Sequence, residues 1–180
     1  AADVQDFFNT YYVPNNASLV IGGDIDPAKT RAMVTKWFQE IPAGAPVPPM
    51  SAPPAYLTES KRLVLEDNVQ LPRLYLNWLT PPGFAPGDAE LDVVANVLAG
   101  GKNSRLYKRL VYDLQIAQDV FAGQSSSPLV STFAIVATAR TGHTLAELEK
   151  VIWEEIRQLQ QEPPTAREVQ RVVNEYEAGF

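Results

Sequence analysis

The clearest pattern of apolar and polar positions lies between Leu91 and Asp113, LDVVANVLAGGKNSRLYKRLVYD. Leu91, Val94, Val97 and Leu98 follow helical spacing, and so do Leu106, Leu110 and Val111. The Gly100-Gly101 pair divides the two runs, since glycine accepts the left-handed backbone of a helix C-terminus. Asn103 or Ser104 is placed to cap the second helix by accepting from its unpaired N–H groups.

The remaining elements are read around this stretch. Residues 3–12 predict a short helix with Phe7, Phe8, Tyr11 and Tyr12 on one face, ended by Pro14 and Asn15-Asn16. Residues 17–23, ASLVIGG, predict a buried strand. A helix follows to about Glu40, capped by Asp24 or Asp26 with Pro27 at its first position. Its inward residues are Ala28, Ala32 or Met33, Trp37 and Phe38. Residues 61–68 (KRLVLEDN) and 72–82 (PRLYLNWLTPP) predict a neighbouring antiparallel pair, with Leu74, Leu76 and Trp78 alternating on one face. After the central helices, residues 115–127 and 128–140 predict a hairpin turning at Ser125-Ser126-Ser127-Pro128. Thr144–Glu147 and Thr165–Glu168 are capping boxes that open two closing helices. The first carries Leu145, Leu148, Ile152, Ile156 and Leu159 on its apolar face, the second Val169, Val172, Val173 and Tyr176. The order α-β-α-β-β-α-α-β-β-α-α predicts an α+β fold, a two-layer sandwich of mostly antiparallel sheet with helices on one face.

Residues 42–54 hold six prolines in 13 positions and no charge. That composition predicts an extended, semi-rigid connector. The elements before it are too few to fold alone, so residues 1–180 are expected to form a single domain with the connector running across its surface. The last helix opens shortly before Phe180, which reads as a piece of something larger.

Composition narrows the function classes. With 180 residues, 46% of them hydrophobic and 20% charged, the chain can bury a substantial core. The formal net charge of −6 argues against nucleic acid as a partner. No apolar run is long enough for a membrane span, and the first residues lack a basic region followed by an apolar core. There is no cysteine, which excludes disulfides, thiolate zinc sites and cysteine nucleophiles and fits either periplasm or cytoplasm. His143 is the only histidine, whereas a histidine-based zinc site needs two or three imidazoles with carboxylates.

The chemical motifs are correspondingly few. Gly22-Gly23-Asp24 after an apolar run looks like a phosphate-binding loop but lacks the G-x-G-x-x-G or lysine spacing, and reads as a turn. Ser125, Ser126 and Ser127 form no G-x-S-x-G elbow and read as the hairpin turn. His143 reads as a surface residue before a helix, and the pairs Glu147/Glu149 and Glu154/Glu155 as solvated. Positive charge is concentrated instead at Lys102, Arg105, Lys108 and Arg109 on one short helix. The plainer reading is charge that offsets acids elsewhere. The sharper one is that Arg105 or Arg109 contacts a peptide carbonyl, a carboxylate or a partner chain.

Two phrases, FFNTYYVPNNASLVIGGDIDP and LDVVANVLAGGKNSRLYKRLVYDLQIA, bring a resemblance into view. With the proline connector and the helix TLAELEKVIWEEIRQL in their order and spacing, the chain resembles the M16 zinc metallopeptidases, the pitrilysin and mitochondrial-processing-peptidase group. The resemblance implies a two-layer α+β domain of the M16 and LuxS-like metallohydrolase type. Such domains are repeated in halves that close around a peptide. Zinc is held in that family by an H-x-x-E-H motif and a distal glutamate of the preceding domain, and this sequence has no H-x-x-E-H. The chain therefore looks like the metal-free C-terminal-type domain. It is expected to hold no cofactor and to be inactive alone. Its expected partners are neighbouring M16 domains, of the same chain or of a partner subunit, with a peptide substrate met by the whole assembly. The alternative is a domain of a non-catalytic, structural M16-like subunit, and a third option is a free-standing peptide-binding module. Some family members hold the substrate backbone with an arginine and a tyrosine seven residues later. Arg109 matches the arginine, and Ile116 stands where the tyrosine would be. Lys102, Arg105 and Arg109 are then expected to face a chamber or a neighbouring domain, without cutting. A bacterial-type protein is expected, with the periplasm favoured over the cytoplasm.

Overall fold

The computed structural model describes residues 2–49 and 55–179. The chain divides into two compact units, Ala1–Ser51 and Ala52–Phe180. The division falls in the proline-rich segment, whose residues 50–54 lie outside the described ones.

The first unit holds α1 (Ala2–Tyr11), a 3-10 turn at Pro14–Asn16 and α2 (Pro27–Phe38). The aromatic residues of α1 and Tyr12 just after it pack on one another in tilted pairs, Phe8 on Tyr12 at 4.4 Å between centroids and Phe7 on Tyr11 at 5.0 Å. Asp26 caps α2 by accepting from the amides of Ala28 and Lys29, with Pro27 in its first turn as the sequence predicts. The turn at Pro14 is pinned by Asn15, whose Oδ1 accepts from Gly44 N at 2.8 Å. Two expectations need correcting here. Residues 17–23 form no strand: Leu19, Val20 and Ile21 are exposed, Val20 to 91%. Met33, Trp37 and Phe38 of α2 are exposed rather than inward. Contiguous aliphatics mark a segment suited to burial, but a strand also needs a neighbour's N–H and C=O groups. No strand forms among the described residues of this unit.

The second unit is built on three antiparallel strands, β1 (Arg73–Thr80), β2 (Ala117–Ser125) and β3 (Ser131–Ala139), in the order β1-β3-β2. The β2–β3 hairpin turns where the sequence predicts. Register fixes the two faces of the sheet. Leu76, Ile135 and Ala122 align on one face, as do Leu74, Ala137 and Val120, and all of these pack in the core. Tyr75, Val136 and Phe121 align on the other, where Tyr75 is 60% and Phe121 59% exposed. Helices α3 (Asp88–Ala99), α4 (Leu145–Gln161) and α5 (Ala166–Ala178) complete the unit. α3 packs on β2 and α5, and α4 on β1 and β3, closing a core of Leu98, Leu106, Leu110, Ile135, Leu148 and Ile152. The α+β architecture with a mostly antiparallel sheet is as expected.

Both capping boxes are present. Thr144 Oγ1 accepts from Glu147 N while Glu147 accepts from Thr144 N at 2.6 Å, and Thr165 and Glu168 repeat the pattern. Three other local expectations are corrected. Residues 61–68 are not a strand paired with β1: the partner of β1 is β3, and Leu65 is 82% exposed. Leu63 and Leu65, alternating with their neighbours in 61–68, show only that the segment can extend. The long-range pairing with β3, which carries the most buried run of the sheet, brings β1 into the core. Ser104 does not cap by accepting from an amide. Its buried hydroxyl donates to Gly101 O at 2.6 Å. The second central helix is a π-helix over Tyr107–Asp113, closed by Leu114 N to Arg109 O, rather than an α-helix.

Candidate functional site

The basic cluster sits where three elements meet. Gly101, with φ +79°, turns the chain out of α3, and Ser104 anchors the next turn to it. The π-helix that follows buries Leu110 and Val111; the guanidinium of Arg109 within it meets α4, and that of Arg105 just before it meets α5.

Arg105 makes a two-pronged pair with Glu168 of α5, Nε to Oε1 at 2.8 Å and Nη2 to Oε2 at 3.0 Å. Its Nη1 also reaches Glu162 O at 3.4 Å. This fork-to-carboxylate geometry is the strong form of an ion pair. Arg105 holds the Glu168 carboxyl down to about 2, helped by the Thr165 amide and hydroxyl that cap the helix. The Arg105 guanidinium is in turn pushed up, first by its hydrogen bond with Glu168. Arg109 donates through Nη1 to Glu155 Oε1 at 2.7 Å and through Nη2 to Glu154. Glu155 is buried, and its hydrogen bond is the main cause of the upward shift at Arg109. Lys102 is exposed, and among the described residues it is in no ion pair.

The structure thus brings Arg105 and Arg109 onto acids of this same chain and leaves Lys102 to solvent. The reading of Glu154 and Glu155 as solvated is corrected: both engage Arg109, and Glu155 is among the buried residues. A signal for this existed, because Glu155 continues the helical stripe Leu148, Val151, Ile152 that faces the core. Ile116, at the position where the resemblance places a tyrosine, is itself in the core.

A second polar cluster carries no motif in the sequence. The buried carboxylate of Asp88 accepts from Ser126 Oγ at 2.6 Å, from Gln124 Nε2 at 3.0 Å and from Phe84 N at 2.9 Å. Those bonds, the Ser126 one foremost, hold its carboxyl below the usual carboxylate range. The serine turn thus fastens α3 to the hairpin. His143 lies half-buried in the turn before α4, with Glu147 Oε1 3.7 Å from its Nδ1.

The donor set does not fit zinc. One imidazole beside one carboxylate falls short of the three or four ligands that the ion takes, and the chain has no thiolate. Among the described residues no group of three or more histidine, cysteine, aspartate or glutamate side chains is arranged to hold a metal.

The decisive likeness spans nearly the whole chain: residues 1–176 match the model of the peptidase M16 inactive domain. The chain belongs to the peptidase M16 inactive-domain family. It is 24% identical to the zinc protease PqqE of Helicobacter pylori, over 99% of this chain and 41% of that protein. Among solved structures it is similar to a protease from Helicobacter pylori, with a TM-score of 0.79 at 24% identity, covering 99% of this chain and 44% of that one. It is also similar to a peptidase M16 inactive domain from Pseudomonas fluorescens, with a TM-score of 0.74 at 17% identity, covering 99% and 43%. At these identities the solved structures establish the shared fold. This M16 inactive domain spans 41–44% of the length of these three relatives.

Proposed function

We propose that this M16 inactive domain serves as the metal-free part of a zinc metalloendopeptidase. In this reading it supports a zinc-bearing domain and forms part of the wall that encloses a peptide. The family match over residues 1–176, in a sequence with a single histidine and no H-x-x-E-H, is the observation that carries the reading. When bound in the neighbouring domain, zinc would activate the attacking water.

The residues of this chain would then act by holding shape. The Arg109–Glu154/Glu155 pairs tie the π-helix to α4, and Arg105–Glu168 ties the turn just before it to α5, so the scaffold keeps one form as a peptide enters. Lys102, on the turn before the π-helix, and Lys108 within it are both exposed and are the cations of the cluster free to meet a peptide carbonyl or carboxylate. Arg105 and Arg109 could do so only by leaving their acids.

The test combines metal analysis with complementation. The purified chain is analysed for zinc, and hydrolysis of an unstructured fluorogenic peptide is followed with the chain alone. It is then followed with the zinc-bearing domain of the parent protein alone and with both together. The expected result is no stoichiometric zinc, no hydrolysis by the chain alone, and faster hydrolysis with both. Stoichiometric zinc in the chain overturns the proposal. Association without any hydrolysis points to a non-catalytic subunit instead.

A further inference from the structure

Phe84 gains no burial for its side chain among the described residues. Its φ is +64°, in the left-handed region that bulky side chains avoid, and it is fully exposed, at 105%. Strain of this kind persists where the surroundings over-determine it, and it concentrates at positions with a task.

The surroundings do over-determine it. The loop 81–87, PPGFAPG, carries three prolines, each with a fixed φ. Gly83 N donates to Ser127 O at 2.9 Å, tying the loop to the hairpin turn. Phe84 N donates to Asp88 Oδ2, whose other oxygen is held by Ser126 and Gln124. Asp88 N closes the loop by donating to Ala85 O at 3.1 Å. The result is a phenyl ring held out to water on a fastened loop. Leu79 near the end of β1 and Leu129 in the hairpin turn are further exposed apolar residues on the elements that the loop joins or touches.

We infer that Phe84 is a preorganised anchor that inserts into an apolar pocket on the zinc-bearing domain of the parent protein. An exposed aromatic ring whose backbone is already fixed loses little freedom on binding, which is how a single side chain comes to dominate an interface. The occupant follows from length and constancy. The relatives carry more than half of their length outside the match, so a neighbouring domain is the partner always at hand. A rigid single anchor suits one fixed complementary pocket better than a stream of peptides of varied sequence. This inference rests on the reading of the chain as the metal-free domain of a larger peptidase.

The experiment titrates the chain into the separately expressed zinc-bearing domain of its parent by calorimetry. Phe84→Asn is the main variant, because asparagine tolerates the left-handed backbone and leaves the loop in place. It should raise Kd by at least about 30-fold, the scale of an interface hot spot. The melting temperature of the isolated variant should not fall. Phe84→Gly should weaken binding similarly while making the isolated chain more heat-stable, since the strain is gone. Tyr75→Ala, on the open face of the sheet, serves as a control and should change Kd by no more than about threefold. If Phe84→Asn binds within about threefold of wild type, the anchor is overturned while the domain reading stands. If affinity holds but KM for peptide rises, the ring touches substrate and the inference is overturned. If the wild-type chain does not associate at all, both fail.

Discussion

Arg109 donates to Glu155 at 2.7 Å, and Glu155 lies on the stripe of α4 that otherwise buries Leu148, Val151 and Ile152. A carboxylate in that position is held by its cation rather than by water. Removing the cation strands the charge, and removing both groups does not. Arg109→Ala should therefore cost about 2–3 kcal/mol in urea unfolding, allowing for the part of Arg109 that water still reaches. The pair Arg109→Met with Glu155→Leu should recover most of that loss. If the single and double variants are equally unstable, the pair is not what holds the π-helix on α4.

Acid should act on the other pair. Arg105 holds the Glu168 carboxyl at about 2 against an ordinary 4.5, so the unfolded chain takes up this proton before the folded one. The stabilisation is complete above about 4.5 and is lost as pH falls from 4.5 towards 2. Glu168→Gln removes that loss. A series of melting temperatures across this window should fall less steeply for the variant than for wild type, and the variant should be the less stable of the two at pH 7.

Gly101 offers a purely conformational test. Its φ is +79°, and an added Cβ would meet nothing within 4 Å. Gly101→Ala should therefore destabilise through backbone strain alone, by about 1–2 kcal/mol. Gly101→Asn should cost clearly less, because asparagine visits that region more easily. Equal losses for the two would show that space rather than backbone conformation is limiting.

Hydrogen exchange should separate the true strands from the apolar segments that resemble them. The amides of Ile135 and Ala137 lie in the central strand and should be among the slowest to exchange. Those of Leu63, Val64 and Leu65 lie in an exposed segment without a ladder and should exchange orders of magnitude faster. Comparable protection at both would mean that residues 61–68 have a strand partner.

These contrasts show what the residues alone could convey. Thr144 with Glu147 and Thr165 with Glu168 are local devices, complete within four residues, and both are built as read. The hairpin is local too, since one short turn brings β2 to β3. Residues 17–23 and 61–68 have the composition of strands, yet a strand depends on a partner that their own pattern cannot name. The π-helix differs from an α-helix by one residue in the span of each hydrogen bond, which the spacing of Leu106, Leu110 and Val111 does not distinguish. The basic cluster was visible as charge, and its binding to Glu154, Glu155 and Glu168 needed the crossing of three elements. Phe84 gave no signal in sequence, because a positive φ leaves no mark on residue type unless the residue is glycine or asparagine.

The π-helix also has a consequence for chain length. A wide turn stores one residue more than α-helical winding would, and a second irregularity follows at Ala117–Asp119, where β2 slips against β3. The stretch from Tyr107 to Asp119 thus holds two places where the chain carries slack. Loss of one residue there could be absorbed by tightening a turn or by straightening the strand. The same loss within Ser131–Ala139 would throw every core side chain beyond it to the wrong face. Insertions and deletions among relatives of this domain should gather in the first stretch and spare the second.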